Sequence, residues 1–329
     1  MPRTVRAQHQ RFALRGPFRI SRGVRTAADV VEVSVEEAGV SGRGESVPYA
    51  RYGESIDSTL AAIEDVRAAV EAGAGREELL DFLPAGAARN ALDCALWDLE
   101  AKRGGRTVAA MIGAPVPQLV PSALTIVIDT PAAMAAAASE LRRAPLLKVK
   151  VGAEDPAARI RAVRNAAPGC ALIVDPNESW NPAIVEAIQP VLLEAQVALL
   201  EQPLPAGADE WLEDFTPAVP ICADESVHVA EDLPAVVKRY QVVNVKLDKT
   251  GGLTTALKMA EAARGYGLGL MAGCMVSSSL SIAPAFHLAR LSDFVDLDGP
   301  LWLLDDRPGG VKDEGGILSP PDKGFWGEP

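Results

Sequence analysis

The 329 residues are 48% hydrophobic and 23% charged, the balance of a globular chain, and they suffice for two domains or one large barrel with an addition. A net charge of -12 excludes the basic surface that a phosphate backbone demands, so nucleic acid is not an expected partner. No apolar run approaches a membrane span, Met1 to Arg15 lack the apolar core of a signal peptide, and the scattered Cys94, Cys170, Cys222 and Cys274 read as reduced core residues of a cytoplasmic protein.

Residues 1 to about 50 alternate as strands do. Val30, Val31, Val33 and Val35 form one run, the turn Glu37-Ala38-Gly39 closes it, and Val40 to Val47 reads as its hairpin partner. The stretch Ile20 to Thr26, with Arg22, Gly23 and Arg25, reads as a polar loop. From Ser58 to about Gly104 the period is helical, with Ala88, Ala91, Leu92, Ala95, Leu96 and Leu99 on one face. Pro115, Pro117 and Pro121 mark a crossing into a second unit. Strand-like apolar runs then follow at Leu124–Ile128, Leu146–Val151, Ala171–Asp175, Val197–Glu201, Ile221–Glu225, Val242–Asp248, Leu268–Ala272 and Phe294–Asp298. Each gap can hold one helix. Strand-helix units repeated in this way predict parallel strands closing into a (β/α)8-type barrel, with a doubly wound sheet as the competing architecture.

The run Leu146-Leu147-Lys148-Val149-Lys150-Val151 places both lysines on one side of a strand and apolar residues on the other. Alone, it reads as an edge strand with a solvated lysine face. The residues closing the next strands point elsewhere. Asp175, Glu201 and Asp224 end the third, fourth and fifth, the sixth carries Lys246, and the eighth ends in Asp296 and Asp298. Alternation leaves Ile173 and Asp175, and Asn244, Lys246 and Asp248, facing inward. The C-terminal strand ends of such a barrel surround its site, so these side chains are expected to converge.

A single aspartate there could as well cap a helix. Three successive carboxylates, with no histidine or cysteine among them, describe a hard-cation site suited to Mg²⁺, and His9, His228 and His287 stand in no zinc spacing. Lysines on the second and sixth strands would face each other across the ring. A neighbouring ammonium and a metal would lower their pKa toward that of a usable base. The implied chemistry is 1,1-proton transfer, removal from one face of a carbon and return to the other. Schiff-base chemistry on a barrel lysine is the rival enzyme class, and a ligand-binding barrel without catalysis the rival outside enzymes.

The motifs Lys148-Val-Lys150, Asp175-Pro-Asn-Glu-Ser-Trp180, Glu201-Gln-Pro203, Asp224-Glu-Ser226, Lys246-Leu-Asp-Lys-Thr-Gly-Gly252 and Asp296-Leu-Asp298 resemble the muconate-lactonizing subgroup of the enolase superfamily, and within it the dipeptide epimerases. The resemblance implies a modified (β/α)7β catalytic barrel over residues 120-304 and an α+β capping domain over 1-115, to which a tail from about 305 to 329 returns. It implies that Lys150 and Lys246 are the two bases and Lys148 their support. Asp175, Glu201 and Asp224 would bind Mg²⁺. Asp296 and Asp298 would hold the free ammonium of a dipeptide, L-Ala-D/L-Glu foremost, and Arg22 or Arg25 the side-chain carboxylate. An N-acylamino acid racemase or cycloisomerase would use the same lysine and metal set, yet would leave Asp296 and Asp298 without an ammonium. Murein-peptide recycling is the implied setting, and a homo-oligomer remains open.

Overall fold

The computed structural model describes residues 3–329, so Met1 and Pro2 at the head of the expected cap lie outside the described residues. The alternating valines bury one face of an antiparallel sheet made of Thr4–Ile20, Gly23–Glu37 and Val40–Ser46. Val31, Val33 and Val35 lie in one core with Ile63, Val66 and Val70 of helix Ile56–Glu71 and with Ala91, Leu92, Ala95 and Leu96 of helix Ala87–Gly104. The second helix lies so close to the sheet that a Cβ on Gly44 would meet Ala91 O, and one on Gly42 would meet Ala95 O and Leu99 N. Overpacking such a backbone contact costs about 1–3 kcal/mol. Gly44→Ala is therefore expected to lower the denaturant midpoint by that much, and Gly104→Ala, where a Cβ meets nothing, far less.

The segment read as a polar loop is instead the tip of a long hairpin. The first strand runs to Ile20, Ser21 and Arg22 make the turn, and the second strand begins at Gly23. Arginine and threonine in alternation look like a loop because no apolar face marks the pleat, yet Arg19 pairs with Val24 and Phe18 with Arg25. The hairpin carries its turn to the barrel, where Ile128 N donates to Arg19 O at 3.1 Å.

The barrel strands are Ala123–Ile126, Leu146–Lys150, Ala171–Asp175, Val197–Glu201, Ile221–Ala223, Val242–Val245, Gly269–Gly273 and Phe294–Asp296. All are parallel, and each pairs with the next in chain order. A doubly wound sheet would reverse its order at a switch point, so that alternative is excluded. The first and eighth strands meet through side chains instead of a ladder. Ser122 Oγ accepts from Leu297 N at 2.9 Å, and Asp298 Oδ2 accepts from Thr125 N at 2.7 Å.

Helices Pro131–Glu140, Pro156–Ala166, Pro182–Glu194, Leu253–Gly265 and Ser279–Ala289 cover the outside. Two gaps depart from the expectation of one helix each. The fourth holds only a 3-10 turn, Glu210–Asp214, because Pro203, Pro205, Pro217 and Pro220 interrupt it, and the fifth a 3-10 turn, Ala230–Asp232, that runs into a short helix, Leu233–Val236. Past the eighth strand comes the 3-10 turn Gly299–Trp302, and the tail then crosses to the cap sheet and its helix. There Trp326 Nε1 donates to Arg43 O and Cys94 O at 3.0 and 3.2 Å.

Inside the ring the period of two builds layers. Ala123, Leu146, Ile173, Leu199, Cys222, Val242, Met271 and Phe294, one from each strand, form an apolar plug. Two residues further along each strand come Thr125, Lys148, Asp175, Glu201, Asp224, Asn244, Gly273 and Asp296, a polar layer seated on that plug.

Candidate active site

The plug shields the polar layer from one side and the hairpin covers it from the other, so its charges must answer one another. Lys148, 2% exposed, donates to Asp296 Oδ2 at 2.8 Å and lies 3.2 Å from Asp175 and 2.7 Å from Glu201. Lys150 Nζ donates to Asp175 Oδ2 at 2.6 Å. Across the ring, Lys246 Nζ donates to Asp224 Oδ2 at 2.7 Å, and the buried Lys249 donates to Asp224 Oδ1 at 2.7 Å and to Asn244 O at 2.8 Å. Asn244 Nδ2 donates to Glu201 Oε1 at 2.8 Å.

Burial opposes the charge on Lys148, but Asp296, Glu201 and Asp175 outweigh it and hold the pKa well above the ordinary lysine value. Burial also opposes the charge on Lys246, and there Asp224 prevails in the same direction. At these two lysines the surrounding carboxylates outweigh the lowering that a neighbouring ammonium exerts. In return, Lys246 and Lys249 overcome the burial of Asp224 and hold it far below the usual carboxylate range. Burial and the nearby Asp175 push Glu201 up despite Lys148.

Above this layer a cavity of about 480 Å³ opens toward the cap. Its wall carries Lys148, Lys150, Lys246, Asp296 and Asp298 from the barrel, and Arg22, Arg25, Tyr49 and Tyr52 from the cap. Asp175, Glu201 and Asp224 are at most 1% exposed and lie under the lysines. The structure therefore brings Lys148, Lys150, Lys246, Asp175, Glu201, Asp224, Asp296 and Asp298 to one place, in two tiers. Asp296 keeps one buried oxygen, Oδ1, without a hydrogen bond. Asp298 spends Oδ2 on Thr125 N and, at 3.3 Å, on Trp302 Nε1.

The two arginines differ. Arg22 is engaged, with Nη1 2.6 Å from Glu225 and 3.1 Å from Glu178 and Nη2 donating to Tyr49 at 3.1 Å. Arg25 lies with its guanidinium 4.8 Å from the centre of the Tyr49 ring.

One inward assignment fails. The sixth strand stops at Val245, and Leu247–Thr250 is a helical turn, so Asp248 leaves the barrel interior. It accepts from Val47 N at 2.9 Å and Asn90 Nδ2 at 2.8 Å, joining cap to barrel. Asn244 faces inward as its alternation predicts, and three further residues, Lys249, Asn177 and Glu225, take part in the site although sequence reasoning assigned them no role. Asn244 shares the inward parity of Lys246, which is a usable signal. Asn177 donates from its backbone to Asp175 Oδ1 at 2.8 Å from a left-handed backbone, φ 46°, which sequence spacing does not disclose.

Among the described residues no three carboxylate, imidazole or thiol groups stand arranged to hold a metal ion as they are. The donor set nevertheless fits a hard dication. Its three carboxylates project from adjoining strand ends, and Glu201 Oε2 is buried without a hydrogen bond although Lys148 Nζ lies 2.7 Å away, off the bonding axis. Carboxylates here also outnumber ammonium groups, Asp175, Glu201, Asp224, Asp296 and Asp298 against Lys148, Lys150, Lys246 and Lys249.

Residues 2–113 match the mandelate racemase / muconate lactonizing enzyme N-terminal domain, and residues 132–325 the enolase C-terminal domain-like family. The L-Ala-D/L-Glu epimerase of Escherichia coli (strain K12) is 50% identical over 306 residues, 92% of this chain and 95% of its own. The N-acetyl-D-glutamate racemase of a Pseudoalteromonas species is 46% identical over 300 residues, 91% and 95% of the two chains. Among solved structures, an enolase family member from Agrobacterium tumefaciens, with homology to dipeptide epimerases and with bound sodium and L-Ala-L-Glu, superposes with a TM-score of 0.97. It is 48% identical and the match covers 99% of this chain and 100% of that one. The dipeptide epimerase of Enterococcus faecalis V583, complexed with Mg and L-Leu-L-Tyr, superposes with a TM-score of 0.90 at 32% identity, covering 98% of each chain.

Proposed function

The chain belongs to the mandelate racemase / muconate lactonizing enzyme family, and from that membership we propose that it is a Mg²⁺-dependent dipeptide epimerase acting on the C-terminal residue of L-Ala-D/L-Glu and related L-Ala-L-Xaa dipeptides. The observation that carries the reading is a pair of buried lysines, Lys150 and Lys246, on the wall of one cavity and each bound to a different strand-end carboxylate. One takes the α-proton from its face of the carbon while the other delivers a proton to the opposite face. Lys148, tied to three carboxylates, stays charged and holds them in place. Asp175, Glu201 and Asp224 would bind Mg²⁺, which when present supplies positive charge to the substrate carboxylate as the α-proton leaves. The hairpin and Tyr49 line the cap side of the cavity. A cytoplasmic place in murein-peptide recycling is part of this proposal. No helix among the described residues is long and apolar enough to cross a membrane.

Asp296 and Asp298 receive the free ammonium, and this separates a dipeptide from an N-acylated amino acid. The buried, unpartnered Asp296 Oδ1 favours a cationic ligand. The test compares α-proton exchange in D₂O for L-Ala-L-Glu and N-acetyl-glutamate. Leaving a buried charge unpaired costs about 3–5 kcal/mol, so kcat/KM for the dipeptide is expected to exceed that for the acetylated compound by at least about 100-fold. Equal or better turnover of N-acetyl-glutamate would overturn the reading. Asp298→Asn is a clean companion, since an amide oxygen can still accept from Thr125 N. It is expected to lose a comparable factor on L-Ala-L-Glu and little further on an N-acetylated dipeptide.

A further inference from the structure

Arg22 sits at the hairpin turn and is met by two carboxylates of different standing. Glu178 is widely shared. It takes two hydrogen bonds from Arg51, at 2.8 and 2.7 Å, and one from Ala206 N at 2.8 Å, besides lying 3.1 Å from Arg22. Glu225 is not shared. Its side chain is 1% exposed and lines the cavity, and both its oxygens are buried without an aligned hydrogen bond. Among the described residues its one ion-pair partner is Arg22, at 2.6 Å. The adjacent Asp224 is answered separately by Lys246 and Lys249. The chain thus keeps, on the wall that a substrate side chain would approach, a buried carboxylate whose charge is balanced by the arginine at the hairpin turn.

We propose that Glu225 is a specificity-determining residue, the built-in counter-charge of Arg22, and that it sets how strongly the enzyme prefers acidic over neutral C-terminal residues. The inference rests on the dipeptide-epimerase reading. Without Glu225, the partly exposed Arg22 would keep only Glu178, already shared with Arg51, as a carboxylate partner, and its under-compensated charge would penalise neutral side chains and reward acidic ones. With Glu225 in place, a neutral side chain leaves Arg22 paired and pays no such penalty. An acidic side chain must share Arg22 with a carboxylate already seated there, which blunts its advantage. Glu225 therefore broadens the substrate range, and its removal should narrow it toward acids.

The measurement is the ratio of kcat/KM for L-Ala-L-Glu over L-Ala-L-Gln, a pair that differs in charge and scarcely in shape. Taking the ratio within one variant cancels any loss that both substrates suffer because Glu225 adjoins Asp224. Glu225→Gln is expected to raise the ratio by about tenfold, because removing the buried charge of the pair leaves the charge of Arg22 to act on the substrate side chain. Glu225→Asp, which withdraws the carboxylate, should raise it by a smaller factor and serves if the first variant folds poorly. In an Arg22→Met background, Glu225→Gln should change the ratio by less than about twofold, since the two act as one pair. An unchanged or lowered ratio, or an equal rise without Arg22, would overturn the proposal. A wild-type protein that exchanged the α-proton of neither dipeptide would instead remove the epimerase reading, and this inference with it.

Discussion

Lys246→Ala is expected to abolish epimerisation, by roughly 100-fold to 10,000-fold in kcat, while still permitting slow deuterium wash-in from one isomer of the dipeptide. Lys150→Ala should show the mirror result, with wash-in from the other isomer. The reason is geometric. The two lysines come from the second strand and from just past the sixth, in a ring of eight, so each addresses one face of a carbon held between them. Removing one leaves the other able to exchange the proton it faces. Mass spectrometry of each isomer in D₂O reads this directly. Equal exchange of both isomers by either variant would disprove the division of labour between the lysines, and a covalent adduct trapped by borohydride would point to Schiff-base chemistry instead.

The second large effect concerns the metal. A chelator is expected to extinguish activity and Mg²⁺ to restore it. Asp224→Asn should raise the Mg²⁺ concentration for half-maximal activity at least about tenfold, since even partners of metal ligands are worth that much. The same substitution should also cost stability, about 3–5 kcal/mol in the absence of metal, because Asp224 is the carboxylate that answers both Lys246 and Lys249. The activity titration therefore belongs well below the variant's own melting point. Full turnover in excess chelator would take the metal out of the reaction.

The barrel was legible because its period of two runs through short strands that end in charge. Ile173 and Asp175, or Leu199 and Glu201, are a plug residue and a polar residue on one face, and no other arrangement of those runs hides both. The hairpin tip was not legible, since Arg19, Arg22 and Arg25 show no buried face and take their shape from pairing across the turn. Asp248 misled for a different reason. Asn244, Lys246 and Asp248 alternate as a strand would, but a helical turn begins at Leu247, and nothing in the alternation marks that switch. Lys249 and Glu225 were hidden because each follows a more conspicuous charge in the chain and finds its partner far away, Lys249 at Asp224 and Glu225 at Arg22. The missing helix of the fourth gap follows from its prolines, which strand counting ignores.

The seam between the first and eighth strands constrains how this enzyme could diverge. Asp298 closes the ring by accepting from Thr125 N, and Asp296 steadies Lys148. Both are also the residues that would greet the ammonium of the substrate. A lineage drifting toward acylated amino acids would gain from losing those charges, yet each loss weakens a contact of the seam or removes one of the three carboxylates around a buried lysine. The isosteric amide at residue 298 is the mildest first step, because it relaxes the charge and spares the closure. Further change at that end calls for paired substitutions, with Lys148 or Trp302 altered in concert, and single-step routes should be rare in any library selected for the new substrate.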